Sequence, residues 1–220
     1  MNLLQIYSVP LWESQLPDFS NLQQNLINDV LRLKEEGIES PNKKNHVKGF
    51  LSENKLQKNP NFAPVMEYVC QMSLKAAFDL QFPAVDVFVT ECWAYVASER
   101  NDMVYEHAHQ ETFSGVLYLK IPPNSGKLII SNPCSNPLWQ GNLLIERKNK
   151  FTADRLHIEP TEGRIFLWPS YITHSIEPSN HDEERISINF TIIAVPKGAW
   201  AMPQVANKQE NKEETKEENN

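Results

Sequence analysis

His107 and His109 stand one residue apart in "VYEHAHQETFSGVLYL" (Val104–Leu119), in a chain with six histidines in all. Folding a globular domain requires no such pair, and two neighbouring imidazoles are the beginning of a metal site. In an extended strand residues i and i+2 point to one face, so the two rings project together. Glu111 joins them if the strand runs that far. Three consecutive same-face positions span roughly 13 Å at about 3.3 Å per residue, whereas ligand atoms meet a metal at about 2.0–2.2 Å. One straight strand therefore supplies two neighbours, either His107 with His109 or His109 with Glu111. A third ligand has to come from elsewhere.

The best-placed third nitrogen is His174, in the aromatic, β-prone run "WPSYITHSIEP" (Trp168–Pro178). His157 in "RLHIEP" and His181 in "SNHDEER" have polar surroundings and read as solvated, and His46 lies in the basic loop "NKKNHVKG". A second chemical feature follows His174. "ERISINF" (Glu184–Phe190) puts Arg185 and Ser187 on one face of a strand. An inward guanidinium is costly unless an anion meets it. Its planar fork matches a carboxylate, and a neighbouring hydroxyl adds a second hydrogen bond. The simpler alternative is an ion pair with Glu183 or Glu184.

The elements that must position these residues change character along the chain. "SNLQQNLINDVLRLKEEG" (Ser20–Gly37) has Leu22, Leu26, Ile27, Val30 and Leu33 on one helical face, a Ser or Asn cap, and Gly37 as a stop. "APVMEYVCQMSLKAAFDL" (Ala63–Leu80) is a second amphipathic helix whose Met and aromatic residues read as core. From Pro83 onward the pattern is strands: Val85–Ser98, Phe113–Ile121, Gly126–Pro133, Gly163–Ile176 and Arg185–Pro196, rich in β-branched and aromatic residues. "PPNSGK" (Pro122–Lys127) is a turn, with Pro fixing φ and Asn or Gly free to take positive φ. Helices followed by short strands predict a mainly β chain with N-terminal helices, an antiparallel sandwich or jelly roll. The expected domain runs over residues 1–205, with a helical part at 1–82 and a strand-rich core at 83–198. Residues 206–220 read as a disordered charged tail, since Asn207–Asn220 holds no apolar residue.

Composition narrows the function classes. A formal charge of −7 over 220 residues argues against a nucleic-acid surface, which needs clustered Lys and Arg. Cys70, Cys92 and Cys134 form neither a disulfide framework nor a zinc pattern; they fit a reducing compartment and read as small buried hydrophobes. The start lacks a basic, then apolar, leader pattern, and no run approaches the ~18–20 apolar residues of a membrane span. The expectation is a soluble cytoplasmic protein with no membrane and no nucleic-acid partner.

Taken in order, the H-x-H pair, "SGVLYLKIPPNSGKLIISNP", "EPTEGRIFLWPSYITHSIEP" and "ERISINF" resemble the Fe(II)/2-oxoglutarate-dependent oxygenases, in particular the branch found in bacteria and tailed phages. The resemblance covers about residues 85–195. It implies a double-stranded β-helix, a cupin-like jelly roll, with iron at its open end. It carries His107 and His109 onto the proximal metal segment, His174 onto the distal ligand, and Arg185 with Ser187 onto the anchor for the far carboxylate of 2-oxoglutarate. Tyr118 then lines the cosubstrate pocket. Two departures stand out. The wider superfamily uses H-x-D or H-x-E, the two-His-one-carboxylate triad, where this chain has His109; and Gln110 stands where the nearer branch has Pro. Either His107, His109 and His174 bind the metal, the set that family position favours, or His109, Glu111 and His174 do.

The implied activity couples oxidative decarboxylation of 2-oxoglutarate to succinate with hydroxylation of an amino-acid side chain, peptide or small metabolite, using Fe(II) and O2, with ascorbate as support. The site would lie in the host cytoplasm if the chain is phage-encoded. Two other classes remain open on sequence: a non-enzymatic jelly-roll binding or assembly module, and a cupin-type three-His metal enzyme that does not use 2-oxoglutarate. The loop Ser131–Leu156 and the region Asn42–Asn61 are expected to shape the substrate pocket; the sequence names no substrate and no oligomeric state.

Overall fold

The computed structural model describes residues 9–41, 48–134 and 153–199. The charged tail, His46 and most of the loop Ser131–Leu156 lie outside the described residues. Among the described residues, ten strands form two antiparallel sheets. β1 (Trp12–Gln15), β2 (Phe50–Leu51), β3 (Val85–Ala97), β5 (Phe113–Lys120), β8 (Arg164–Pro169) and β10 (Arg185–Pro196) make the larger, in the order β1-β8-β5-β10-β3-β2. β4 (Val104–His107), β6 (Leu128–Ser131), β7 (Arg155–Ile158) and β9 (His174–Ile176) make the smaller, in the order β4-β9-β6-β7. The helices are α1 (Phe19–Glu35) and α2 (Ala63–Asp79).

β10 lies between β3 and β5 and shows why the sheet has two different faces. Its even-numbered residues Ile186, Ile188, Phe190 and Ile192 are buried with Leu26, Ile27 and Val30 of α1 and Val65, Met66 and Val69 of α2. The period of two sends Arg185, Ser187, Asn189 and Thr191 the other way, toward the smaller sheet. Val116, Tyr118, Leu128, Ile130, Phe166 and Trp168 form a separate cluster between the sheets. Each buried Leu, Ile or Phe contributes roughly 1.5–3 kcal/mol, so the helix-side core holds β10 firmly in register.

Several expected boundaries move, for local reasons. α1 begins from Asp18, in the left-handed region at φ 52° and with no side-chain cap, rather than from a Ser or Asn cap. Its end follows expectation: Ile38 N–H donates to Leu33 C=O and Gly37 N–H to Lys34 C=O, with Gly37 at φ 67°. The run Gly163–Ile176 is two strands in different sheets. β8 ends at Pro169, which pairs with Phe113, and the chain turns through Ile172 N–H to Pro169 C=O before β9. The N-terminal third is also less helical than expected, because β1 and β2 edge the larger sheet. On α2, Met66 is core, but Phe78 is 79% exposed. Cys92 is buried, Cys70 partly so, and Cys134 is exposed rather than a buried hydrophobe.

The turn after β5 takes its positive φ at Asn124 (61°). Gly126, entering β6, abuts the backbone of Glu177, and a Cβ there would overlap the Glu177 carbonyl oxygen. This contact fastens β6 beside the exit of β9, with Glu177 N–H donating to Lys127 C=O. Gly126→Ala should therefore lower stability by about 1–3 kcal/mol, measured as a lower urea midpoint at unchanged m-value; an unchanged midpoint would show that the two segments are not tightly fastened.

Candidate metal centre

His107 ends β4, and its register partner across the smaller sheet is His174, the first residue of β9. The strand stops at His107, so His109 is not its strand neighbour as the sequence suggested. It is placed by a longer-range bond, its backbone N–H donating to Ser170 C=O at 2.9 Å in the turn that leads to His174. The three rings nonetheless converge. Ring centroids are 4.4 Å apart for His107 and His174, 5.0 Å for His107 and His109, and 5.4 Å for His109 and His174. One nitrogen from each lies within 4.8 Å of the other two. Glu111 is not in this group; its carboxylate turns back to accept the Gln110 backbone N–H at 3.1 Å.

Two of the rings have their tautomer set by the backbone. His107 Nδ1 lies 2.7 Å from Tyr105 C=O and His174 Nδ1 lies 3.1 Å from Ile172 C=O. A carbonyl only accepts, so both Nδ1 atoms carry the proton and both Nε2 atoms are bare lone pairs. Burial lowers all three pKa values. His174 falls to about 3 and His109 to about 4, burial being the largest cause and the neighbouring His107 the next, and His107 falls through burial as well. Three neutral imidazoles in one cluster are the protonation state a divalent metal requires. Trp168 packs edge-on to His174 at 4.8 Å, and the Trp93 ring is 6.0 Å from that of His109.

The cavity beside the triad is lined on one side by Tyr95 and Tyr118, and next to these lies a buried polar group that is not itself part of the lining. Tyr95 on β3, Ser187 on β10 and Tyr118 on β5 are register partners across three adjacent strands. Arg185 is one inward step further along β10 and is 1% exposed. Its Cζ lies 5.2 Å from the centroid of the Tyr118 ring. Arg185 Nε and Nη2, Ser187 Oγ, the Tyr118 hydroxyl and Trp168 Nε1 are all buried without a hydrogen-bond partner. The ion pair that offered a simpler account of Arg185 does not form: Glu184 is taken by Lys34 at 2.8 Å. Asp102, the nearest buried carboxyl to this group, accepts the Tyr95 hydroxyl at 2.5 Å. Burial raises the pKa of both the Asp102 carboxyl and the Tyr118 hydroxyl. A buried guanidinium with two orphaned nitrogens, beside two orphaned hydroxyls, is a pocket shaped for an anion that brings its own acceptors. The residues present thus fit a metal at the three imidazoles and a carboxylate at the buried polar group.

Among the other histidines, His157 is half-exposed and pairs with Glu177 at 2.9 Å, as its polar surroundings suggested. His181 corrects the expectation of solvation: it is buried, Nδ1 donating to Glu183 C=O at 2.8 Å, because the loop folds back onto Ser125. The sequence reading missed Trp93, Tyr95 and Asp102. The alternation in "ECWAYVAS" carries a signal for Trp93 and Tyr95, which share a face at i and i+2; Asp102, in the loop between β3 and β4, carries none.

Comparison with known proteins places this geometry in context. A family model described as "Putative 2OG-Fe(II) oxygenase" matches residues 91–191, the segment from β3 to β10 that holds every residue of the centre. No curated protein matches. Among solved structures, a prolyl-4-hydroxylase from Pseudomonas putida is similar at 18% identity and TM-score 0.59, over 84% of this chain and 93% of that one. A prolyl hydroxylase from Trichoplax adhaerens, in complex with a hypoxia inducible factor peptide fragment, is similar at 14% identity and TM-score 0.58, over 83% of each chain. HygX from Streptomyces hygroscopicus, with nickel and 2-oxoglutarate bound, is similar at 10% identity and TM-score 0.58, over 86% of this chain and 83% of that one. The shared architecture is the double-stranded β-helix, the two facing sheets described above.

Two predictions follow from the burial of these groups. In metal-free protein, the unfolded chain binds protons at its histidines below about pH 6.5, while folded His109 and His174 stay neutral until about 4 and about 3. Between those values the unfolded state holds more protons, so stability rises with pH and is lost as pH falls from about 6.5 toward 3. Urea titrations of chelated protein at successive pH values should show this fall, and His174→Asn should make it shallower. In the same ligand-free state, Arg185→Met removes a buried charge with orphaned donors at similar volume. It should leave stability unchanged or raise it by about 1–3 kcal/mol; a marked loss would mean that Arg185 has a structural partner.

Proposed function

We propose that this chain is a 2OG-Fe(II) oxygenase, as the family model over residues 91–191 and the shared fold support, with His107, His109 and His174 holding its Fe(II) while Arg185, Ser187 and Tyr118 hold the far carboxylate of 2-oxoglutarate. The observation that carries the assignment is the orphaned polar group: Arg185, Ser187 and Tyr118 are buried with unanswered hydrogen-bonding groups, and Tyr118 lines the cavity that also carries the three imidazoles. A metal enzyme without 2-oxoglutarate would have no use for a buried, unpaired guanidinium there. Iron with 2-oxoglutarate and O2 supplies the hard chemistry, oxidative decarboxylation to succinate and CO2 coupled to hydroxylation of a substrate C–H.

The chain's own groups supply geometry. The Tyr105 and Ile172 carbonyls hold the His107 and His174 rings with Nε2 toward the mouth. The Arg185 fork donates to the anion, Ser187 and Tyr118 add hydroxyl donors, and the Tyr118 ring supports the guanidinium from one side. Trp93 and Trp168 wall the triad and keep bulk water from its flanks. Glu111 takes no part, its carboxylate being engaged with the Gln110 backbone. The substrate class we propose is an amino-acid side chain, peptide or small metabolite, supported by a similar fold crystallised with a peptide fragment. We place the protein in a reducing, cytoplasmic compartment, supported by three free cysteines.

The test is direct. Purified protein with Fe(II), ascorbate and O2 should release succinate from 2-oxoglutarate, slowly without substrate and faster with it. His174→Ala should abolish iron binding and turnover. Arg185→Ala should keep its iron and weaken 2-oxoglutarate by about two orders of magnitude, the worth of two charge-assisted hydrogen bonds. A wild-type protein that loads iron yet neither binds nor decarboxylates 2-oxoglutarate would overturn the assignment.

A further inference from the structure

One polar group facing the cavity has no part in the assignment above. Asn189 stands on β10 two residues beyond Ser187, on the inward face, and lines the cavity. Its carboxamide makes no hydrogen bond to any described residue, although an amide carries two donors and an acceptor. The other polar residues on this face of β10 are accounted for. Arg185 and Ser187 belong to the buried polar group, and Thr191 is bonded to Thr90 at 2.8 Å.

The strand acts as a ruler. Successive inward positions are about 6.6 Å apart, at about 3.3 Å per residue. The two carboxyl carbons of a five-carbon diacid are four C–C bonds apart, about 5 Å along an extended chain. A diacid with one end held by Arg185, Ser187 and Tyr118 therefore has its other end about one inward step along β10, beside Asn189. Cross-strand pairing places the same point near the metal centre independently: Asn189 is the register partner of Trp93, whose ring lies 6.0 Å from that of His109.

We propose that the Asn189 carboxamide donates a hydrogen bond to the carboxylate at the keto-acid end of 2-oxoglutarate, making it a second cosubstrate-holding residue on the same strand as Arg185. The inference rests on the reading of the Arg185 group as the far-carboxylate site. It makes β10 the element that measures the cosubstrate, with a guanidinium for one end and a neutral amide for the other. The neutral amide suits that end, because the metal already supplies positive charge there.

Anaerobic calorimetry on Fe(II)-loaded full-length protein tests it with two probes: 2-oxoglutarate, and 2-oxovalerate, which keeps the keto-acid end and lacks the far carboxylate. Asn189→Ala should weaken both by the same factor, about tenfold, at unchanged iron stoichiometry. Asn189→Asp, which sets a carboxylate against the ligand's own, should weaken both further. Arg185→Ala should weaken 2-oxoglutarate and leave 2-oxovalerate as in wild type. Asn189→Ser, measured in parallel with thermal melting, covers the case in which the Ala variant does not fold. The proposal is overturned if folded Asn189 variants bind both probes like wild type, or if only 2-oxoglutarate is weakened, which would put Asn189 at the far end. Wild-type protein that binds no 2-oxoglutarate, or Arg185→Ala that binds it undiminished, would instead overturn the underlying assignment.

Discussion

The register of β10 is the constraint on which the rest depends. It is paired with β3 on one side and β5 on the other, and its residues alternate between an isoleucine and phenylalanine face and a face of Arg185, Ser187, Asn189 and Thr191. A slip of one residue would drive the guanidinium into the helix-side core and turn the isoleucines into the cavity. The energy that fixes the site is therefore hydrophobic and lies on the opposite side of the sheet, where α1 and α2 cover Ile186, Ile188, Phe190 and Ile192. The helices take no part in the chemistry, yet they hold the functional strand in the one register that works.

That arrangement lets the inner face carry groups that oppose stability. Arg185 Nε and Nη2, Ser187 Oγ and the Tyr118 hydroxyl are buried and unanswered, each costing about 1–3 kcal/mol relative to a satisfied group. Glu184 is engaged with Lys34, and one Asp102 oxygen accepts the Tyr95 hydroxyl while the other has no hydrogen-bond partner. Tyr95 thus does two things, lining the cavity and binding one oxygen of the buried Asp102 carboxyl. Local unsatisfaction tolerated inside an otherwise consistent fold is the mark of a binding site rather than of a structural one.

The sequence made this site legible where the cause was local, and failed where the cause was distant. Period-two alternation placed Arg185 and Ser187 on one face, and the strands that carry them formed close to the expected bounds. His107 and His109 were paired for the wrong reason: the strand ends at His107, and the Ser170 carbonyl, far along the chain, brings His109 back. The choice between His107 and Glu111 was open because strand spacing treats the two pairs alike; in the structure His107 joins the three-ring cluster, whereas the Glu111 carboxylate accepts the Gln110 backbone N–H. His181 looked solvated because its neighbours are polar, but a loop folding onto Ser125 buries it, and no local pattern records that. Pro169 ends β8, yet only the existence of a second sheet explains why His174, a few residues on, faces His107.

The donor set bears on what the cavity can accept. Three neutral imidazoles leave the full charge of a divalent metal uncompensated by the protein, where a two-His-one-carboxylate set would cancel half of it. No side chain described as lining the cavity is acidic, and the buried Arg185 guanidinium, beside the Tyr118 ring of that lining, adds a permanent positive charge. With a metal held as proposed, positive charge would stand at the triad and at the Arg185 guanidinium beside Tyr118, with aromatic and aliphatic walls from Trp168 and Val116 to Leu128 between. A monoanion could answer only one of these charges. A dianion of matching length answers both, and neutralises charge that low-dielectric walls would otherwise leave strongly felt. With His107, His109 and His174 as the proposed ligands, a histidine in place of a carboxylate therefore does not weaken the case for a dicarboxylate cosubstrate; it would increase the electrostatic demand for one.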